Sequence, residues 1–233
     1  MQDSYPLLAA REGDVLVLTL NRREKANAMN EAMQDELVRQ LETANQDAGV
    51  RAVLIEAAGE RVFSAGADLK EFAGLDPKVA ARRRRELLVR TLMTATDFCK
   101  ALVVAVQAKA LGGGCMLALL ADEVVMADTA ELGMPEIKHD MPTPIGIVIL
   151  AARGGMSLAR QMAQGGAPID ARRALAHGLA DELVNVSSLR AKSLERAKAL
   201  AAVSGFAFQA NKKFINAGLR VALQAAALEA ERL

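Results

Sequence analysis

Aromatic residues and cysteines are scarce in this chain. Of its 233 residues none is Trp, one is Tyr, six are Phe and two are Cys. Cys99 and Cys115 sit in apolar stretches without the spacing of a metal-binding motif, which indicates reduced thiols rather than a disulfide scaffold, and no metal site is expected. A core without Trp must be built from Ala, Leu, Val and Met, which favours helices and buried strands over an aromatic-rich β sandwich.

Long hydrophobic runs are also absent, and so is a large excess of charge of either sign. No stretch approaches the about 20 apolar residues that a membrane-spanning helix needs, and the first residues lack the basic and then apolar pattern of an export signal. Lys and Arg number 29 against 28 Asp and Glu, which leaves a net charge of +1. We therefore expect a cytoplasmic protein with neither a membrane nor a nucleic acid as partner, in which local groups bind any anionic ligand.

Short apolar runs alternate with helical patterns along the chain, which is 52% hydrophobic and long enough to bury one substantial core. The runs with strand character are 15–20, 52–57, 102–107, 123–126 and 179–184. Helices are predicted after a capped start at Asn30, and over 158–164, 171–177, 189–202 and 205–233. This alternation predicts a mainly parallel sheet covered by helices.

Two glycine-containing turns each follow a predicted strand. Residues 112–114 are three glycines between the strand 102–107 and a small, apolar helical run, and the segment 63–72 reads FSAGADLKEF. Glycines let a ligand approach the backbone closely, and free N–H groups at a helix start favour developing negative charge. Three glycines alone also fit a tight turn, but the second segment favours a site with two backbone donors.

These two segments carry a family resemblance. FSAGADLKEF (63–72) and ALGGGCMLALLAD (110–122) resemble the signature segments of the crotonase family, also called the enoyl-CoA hydratase/isomerase superfamily, and the likeness extends to LNRREKANAMN (20–30), ELGMPEI (131–137) and APIDARRALAHGLADELV (167–184). The resemblance implies an α/β crotonase (ClpP-like) fold of repeated ββα units. It also implies a core over 1–185, a helical trimerisation region over 186–233, and a homotrimer or dimer of trimers.

The resemblance further implies an enzyme that binds an acyl-CoA thioester, with no separate cofactor because the substrate carries coenzyme A. The backbone N–H groups of Ala67 and Gly113 would donate to the thioester oxygen, and such a preorganised pair stabilises an enolate. The coenzyme A contacts implied in the same way are Lys25, Ala26, Ala28, Ala65, Asp68 and Leu69.

Hydratase members of the family use two glutamates, but here the first position holds Met116 and only the second, Glu136, is kept. A thioether cannot usefully donate or accept a proton. One glutamate suffices to move a proton between two carbons, and isomerase branches resemble this chain in keeping only that one, so isomerisation of a 3-enoyl-CoA to a 2-enoyl-CoA is predicted. Burial is expected to raise the pKa of Glu136; a capping or surface carboxylate after Pro135 is the alternative.

Other interpretations stay open at this point. The loop after Glu136 departs from the family pattern and brings His139 towards the substrate pocket with Asp140, either of which would replace the missing acid in a hydratase. An acyl-CoA decarboxylase or hydrolase, or a non-catalytic acyl-CoA-binding or RNA-binding relative, would also keep the fold. The basic run 82–85 fits a solvated helix face best, with the nucleotide of coenzyme A or RNA as alternatives.

Overall fold

Two sheets form the centre of the molecule in the computed structural model, which describes residues 5–232. The larger sheet has the strand order β1-β2-β3-β5-β7-β10. Its strands are β1 (Leu7–Glu12), β2 (Val15–Leu20), β3 (Ala52–Ala57), β5 (Ala101–Val106), β7 (Glu123–Ala127) and β10 (Glu182–Val184). Only β1 runs antiparallel to its neighbour, so the predicted, mainly parallel sheet is confirmed.

The smaller sheet has the order β4-β6-β8-β9. Its strands are β4 (Val62–Ser64), β6 (Lys109–Leu111), β8 (Glu131–Gly133) and β9 (Ile169–Asp170). The chain visits the two sheets in turn, since β3, β5 and β7 each precede a short strand of the smaller sheet and then a helix. This is the repeated ββα pattern expected from the family resemblance.

Helices cover both sheets. They are α1 (Glu31–Gln46), α2 (Pro77–Asp97), α3 (Gly113–Leu119), α4 (Pro144–Gly165), α5 (Ala171–Ala176), α6 (Leu189–Val203) and α7 (Phe206–Arg232). Helix α6 packs on β3, β5 and β7, whereas α7 packs on α2 and α4. None of the helices within residues 5–232 is long and apolar enough to cross a membrane.

Local sequence signals located most of these elements. The predicted strands 15–20 and 52–57 are confirmed, and the Asn30 side chain caps α1 by accepting a hydrogen bond from the Met33 amide. The prediction of a strand over 179–184 is wrong for its first half. The amides of Leu179 and Ala180 instead donate to the Ala174 carbonyl and close the end of α5, so that the strand begins only at Glu182.

The long helix at the end of the chain passes through Gly218 without a break and ends at Arg232. Strand β1 was not delineated from the sequence. Helix α2, which carries the basic run 82–85 as expected, begins at Pro77 with its amides capped by Asp76. The outermost residues of the two predicted regions, 1–4 and 233, lie outside the described residues. The boundary between those regions at 185 and 186 stays a prediction.

Candidate active site

Hydrogen bonds fix one side of the first glycine-containing loop, which lies in the segment 63–72. Met29 donates its amide to the Gly66 carbonyl, and the Asp68 amide donates to the Met29 carbonyl, at 2.7 and 3.2 Å. These bonds make Met29 and Ala67 a parallel bridge pair, so the amide of Ala67 points to the opposite side. The buried Ser64 hydroxyl adds rigidity by donating to the Asn27 carbonyl and accepting from the Gly66 amide.

The second loop, which contains the three glycines 112–114, contacts the first loop at Gly66. This glycine has a φ of +90°, and a Cβ on it would lie 2.9 Å from the Leu111 carbonyl oxygen and 3.2 Å from the Gly113 amide nitrogen. Only glycine permits both the backbone conformation and the close approach. Gly113 is the first residue of α3, where an amide has no partner within the helix.

The amides of Ala67 and Gly113 are therefore neighbours. The Ala67 nitrogen lies 3.8 Å from the position that a Cβ would take on Gly113, and both residues line the same cavity. Within residues 5–232, neither amide donates to a backbone or side-chain acceptor. The structure thus brings together the two donors singled out in the sequence.

Glu136 lies against this pair. It begins a short 3-10 turn, Glu136–His139, directly after Pro135, and its Oε1 atom lies 2.9 Å from the position that a Cβ would take on Gly112. Its Oε2 atom is buried and accepts no hydrogen bond within the described chain. Burial raises the pKa of Glu136, although a hydrogen bond from its own backbone lowers it in part. The buried Oε2 atom contradicts the alternative of a surface carboxylate, whereas the alternative of a capping carboxylate stays open.

Met116 is buried on α3 and lines the same cavity. Its Cε atom and the Thr143 hydroxyl oxygen converge on Gly146, at 2.9 and 2.6 Å from the position of a Cβ there. The hydroxyl of Thr143 is buried and has no hydrogen-bond partner among the described residues. An apolar and a hydroxyl group thus occupy the part of the cavity next to the family's first glutamate position.

The nearby thiol of Cys115 is not a candidate nucleophile. Burial, and to a lesser extent the Glu136 carboxylate, raise the pKa of Cys115 to about 12, and a protonated thiol is a poor nucleophile. Both Cys115 and Cys99 are free, as the sequence indicated.

The cavity has a volume of about 330 Å³. Its walls come from both loops, from α2, from the segment that joins Pro135 to α4, and from the end of α7. The residues that line it are Ala65, Gly66, Ala67, Leu69, Ala81, Arg84, Arg85, Leu88, Gly112, Gly113, Met116, Pro135, Glu136, His139, Met141, Pro142, Thr143, Pro144, Ile145 and Ala230.

Of the predicted coenzyme A contacts, only Ala65 and Leu69 line the cavity itself. The Ala65 amide donates to the Ala26 carbonyl at 3.0 Å, which holds the turn after β2 beside the first loop. Lys25 is exposed on that turn and Ala28 is buried. The Asp68 carboxylate pairs with Arg22 at 3.0 Å.

Of the remaining wall residues, the sequence predicted His139, misjudged Arg84 and Arg85, and missed Thr143. His139 is exposed and lies at the cavity, while the neighbouring Asp140 is also exposed and does not line it. The solvated-face interpretation of the basic run 82–85 is wrong for Arg84 and Arg85, because they lie on the face of α2 that lines the cavity. Thr143 carried no distinctive sequence signal beyond its place before a proline at a helix start.

Comparison with known proteins agrees with this fold. A family model described as enoyl-CoA hydratase/isomerase matches residues 10–233. The chain therefore belongs to the enoyl-CoA hydratase/isomerase family, which defines it as an enzyme of that type and confirms the predicted crotonase fold.

Individual relatives cover most of the chain. It is 37% identical to 2,3-dehydroadipyl-CoA hydratase of Escherichia coli over 228 residues, which are 97% of this chain and 88% of the relative. It is 29% identical to carboxymethylproline synthase of Pectobacterium carotovorum, over 87% of this chain and 81% of the relative. The crystal structure of an enoyl-CoA hydratase from Bacillus anthracis matches with a TM-score of 0.86 and 29% identity, over 97% of this chain and 90% of that one.

Proposed function

We propose that this protein is an enoyl-CoA isomerase that converts a 3-enoyl-CoA into the conjugated 2-enoyl-CoA with Glu136 as its only base. The observation that carries the proposal is a single buried carboxylate beside two free amides, with a methionine at the family's other glutamate position. A site with one such group can move a proton, whereas adding water calls for a second acid or base.

The proposed reaction needs two proton transfers at the same carboxyl group. The Glu136 carboxylate removes a proton from C2 of the 3-enoyl thioester, and the electrons of that bond move into a dienolate whose negative charge rests on the thioester oxygen. The amides of Ala67 and Gly113 donate to that oxygen. The protonated Glu136 then returns the proton to C4, which leaves the double bond between C2 and C3 without gain or loss of water.

The environment of Glu136 suits this role. Burial raises its pKa, and a carboxylate with a raised pKa is a stronger base towards a carbon acid. Its Oε2 atom has no hydrogen bond to give up before it accepts a proton. Met116 opposite offers no competing proton acceptor.

The rest of the proposal follows the family resemblance. Coenzyme A would lie along the edge formed by Lys25, Ala26 and Ala28 with Ala65, Asp68 and Leu69, and no separate cofactor takes part. The enzyme would act in the cytoplasm as a homotrimer or a dimer of trimers.

Hydration of a 2-enoyl-CoA is the second candidate. The name of the Escherichia coli relative supports it. So does the buried Thr143 hydroxyl, which has no partner of its own in the described part of the chain and would hydrogen-bond to an attacking water beside Met116. In this reaction Glu136, together with water or His139, would perform the second proton transfer.

The test is to incubate the purified protein with matched 3-enoyl-CoA and 2-enoyl-CoA substrates and follow product mass and thioester absorbance. We expect conjugated product of unchanged mass from the 3-enoyl substrate, and a rate loss of at least about a hundredfold in Glu136→Gln. Glu60→Gln, at an exposed position, is the matched control. Undiminished activity in Glu136→Gln would refute the assignment, and a product heavier by one water would favour the hydratase.

A further inference from the structure

The arginines of α2 fall into two groups according to their partners. Arg82 pairs with Glu86 at 2.7 Å, Arg83 with Glu31 at 3.0 Å, and Arg90 with Asp35. Arg84 and Arg85 have no carboxylate partner within residues 5–232, and these are the two that line the cavity. The arginines with carboxylate partners therefore lie on the outer face of α2, and the arginines without such partners lie on the face towards the cavity.

Arg85 also has a donor that is cut off from solvent. Its Nε atom is buried and makes no hydrogen bond to any described residue. A guanidinium stays charged at every physiological pH, so this N–H donor is not lost by deprotonation. Buried polar groups are almost always hydrogen-bonded in folded proteins, so this one calls for a partner that the chain itself does not supply.

The cavity offers these arginines no counter-charge of its own. Glu136 is the only acidic residue among the described residues that line it, and no ion pair joins it to Arg84 or Arg85. An anionic group of the ligand would meet this need, and Arg binds carboxylates well through its planar set of donors.

The arginines lie close to the part of the cavity where the thioester oxygen would bind. Leu88 follows Arg84 by four residues and Arg85 by three, so it shares their helix face. Its Cδ1 atom lies 3.0 Å from the position of a Cβ on Gly113. Arg84 and Arg85 are thus about one helical turn along α2 from a side chain that packs beside the Gly113 donor. The phosphates of coenzyme A are separated from the thioester by the whole pantetheine arm.

We infer that the preferred substrate is an acyl-CoA whose acyl chain ends in a second carboxylate, bound by Arg84 and Arg85. This inference rests on the thioester position in the proposed function and adds the substrate class. The carboxylate would accept the free donors of both guanidinium groups, and a chain ending in a methyl group would leave them without acceptors.

The test compares binding of two saturated thioesters, adipyl-CoA and hexanoyl-CoA, which match in chain length and differ in the terminal carboxylate. Neither has a double bond, so calorimetric titration measures their affinity whether or not the protein catalyses isomerisation. We expect the wild type to bind adipyl-CoA about tenfold or more tightly than hexanoyl-CoA. Arg84→Gln and Arg85→Gln should remove most of this preference by weakening the binding of adipyl-CoA more than that of hexanoyl-CoA.

Arg82→Gln is the matched control, since it makes the same change on the paired, outward face of α2, and it should keep the preference. Equal affinity of the wild type for both thioesters would overturn the inference. An equal loss for both thioesters in Arg84→Gln and Arg85→Gln would also overturn it, because the arginines would then bind the phosphates of coenzyme A. A preference without isomerisation would refute only the proposed reaction.

Discussion

At the scale of single residues, the site depends on the burial of one carboxylate. Glu136 is held against Gly112 by the short turn after Pro135, and the loss of hydration raises its pKa. The same carboxylate raises the pKa of Cys115. Two measurable pH effects follow from this environment.

The first effect is on activity. Glu136 acts as a base only when ionised, so we expect kcat/KM for a 3-enoyl-CoA to fall as the pH is lowered through a midpoint above the ordinary carboxyl pKa of 4.5. The pH profile of initial rates measures this midpoint. A profile that stays flat down to pH 4.5 would contradict the assigned base.

The second effect is on stability, and its sign follows from the raised pKa. The folded protein holds the proton on Glu136 more tightly than the unfolded chain, so this group favours folding below pH 4.5 and loses that contribution as the pH rises through its folded pKa. Urea unfolding of wild type and Glu136→Gln over this range should show the variant gaining relative stability with rising pH. If the difference in unfolding free energy between the two proteins does not change with pH, the pKa of Glu136 is not raised in the folded protein.

A substitution at Met116 tests whether the missing second acid is what prevents hydration of a 2-enoyl-CoA. Met116→Glu places a carboxyl at the family's first glutamate position, and we expect 3-hydroxyacyl-CoA to appear from a 2-enoyl-CoA, detected by mass. The variant should also be less stable, because a buried methionine is replaced by an ionisable group. Met116→Gln has the same shape without the acid, and a hydrated product from that control would show that the carboxyl is not responsible.

At the scale of elements, the turn before α3 joins three parts of the site. The Gly112 amide donates to the Gly133 carbonyl of β8 at 2.9 Å, and the Gly112 carbonyl accepts from the Met116 amide of α3 at 2.9 Å. Gly112 has a φ of +51°, and a Cβ on it would lie 2.9 Å from Glu136 Oε1. This turn therefore sets the spacing between the backbone donors and the base.

Gly112→Ala should disturb both properties of the turn. We expect a loss of about 1–3 kcal/mol in the free energy of unfolding, because alanine is strained at this φ, and a fall in kcat/KM of at least about tenfold as Glu136 and the Gly113 amide shift. Gly165→Ala, where a Cβ would meet no atom within 4 Å and φ is not positive, is the control. Equal effects of the two substitutions on activity would contradict this account.

At the scale of the whole molecule, α7 presents large apolar side chains to solvent. Phe206 and Phe214 are 89% and 85% exposed, and Ile215 is 74% exposed. Exposed apolar side chains of this size are suited to contact with another chain. They are consistent with the trimer expected from the family resemblance, in which copies of the chain bury equivalent surfaces.

Light scattering after size-exclusion chromatography tests this expectation. The wild type should have three or six times the mass of one chain, and Phe214→Glu should shift the protein towards smaller species, because a buried charge weakens an apolar interface. Gln224→Glu, at an exposed polar position of the same helix, should leave the mass unchanged. A wild-type protein that elutes as a monomer would contradict the predicted assembly.

The sequence by itself determined the elements with a clear local signal. The strands 15–20 and 52–57 are continuous apolar runs, and Asn30 is a standard helix cap. The motifs also indicated Ala67, Gly113, Glu136 and Met116, and the structure brings these four residues to one cavity. Motif resemblance was needed for that set, since neither periodicity nor composition relates residues so far apart in the chain.

Tertiary structure decided the features that depend on contacts between distant segments. Strands β4, β6 and β8 have three residues each, too few for a periodic signal, and they exist because they pair with one another. The hydroxyl of Thr143 is placed beside Met116 only by the packing of α3 against α4. Likewise, the four consecutive arginines cannot be told apart in the sequence. Because α2 packs over the cavity, Arg84 and Arg85 line that cavity. Arg82 and Arg83 instead pair with carboxylates on the outer surface.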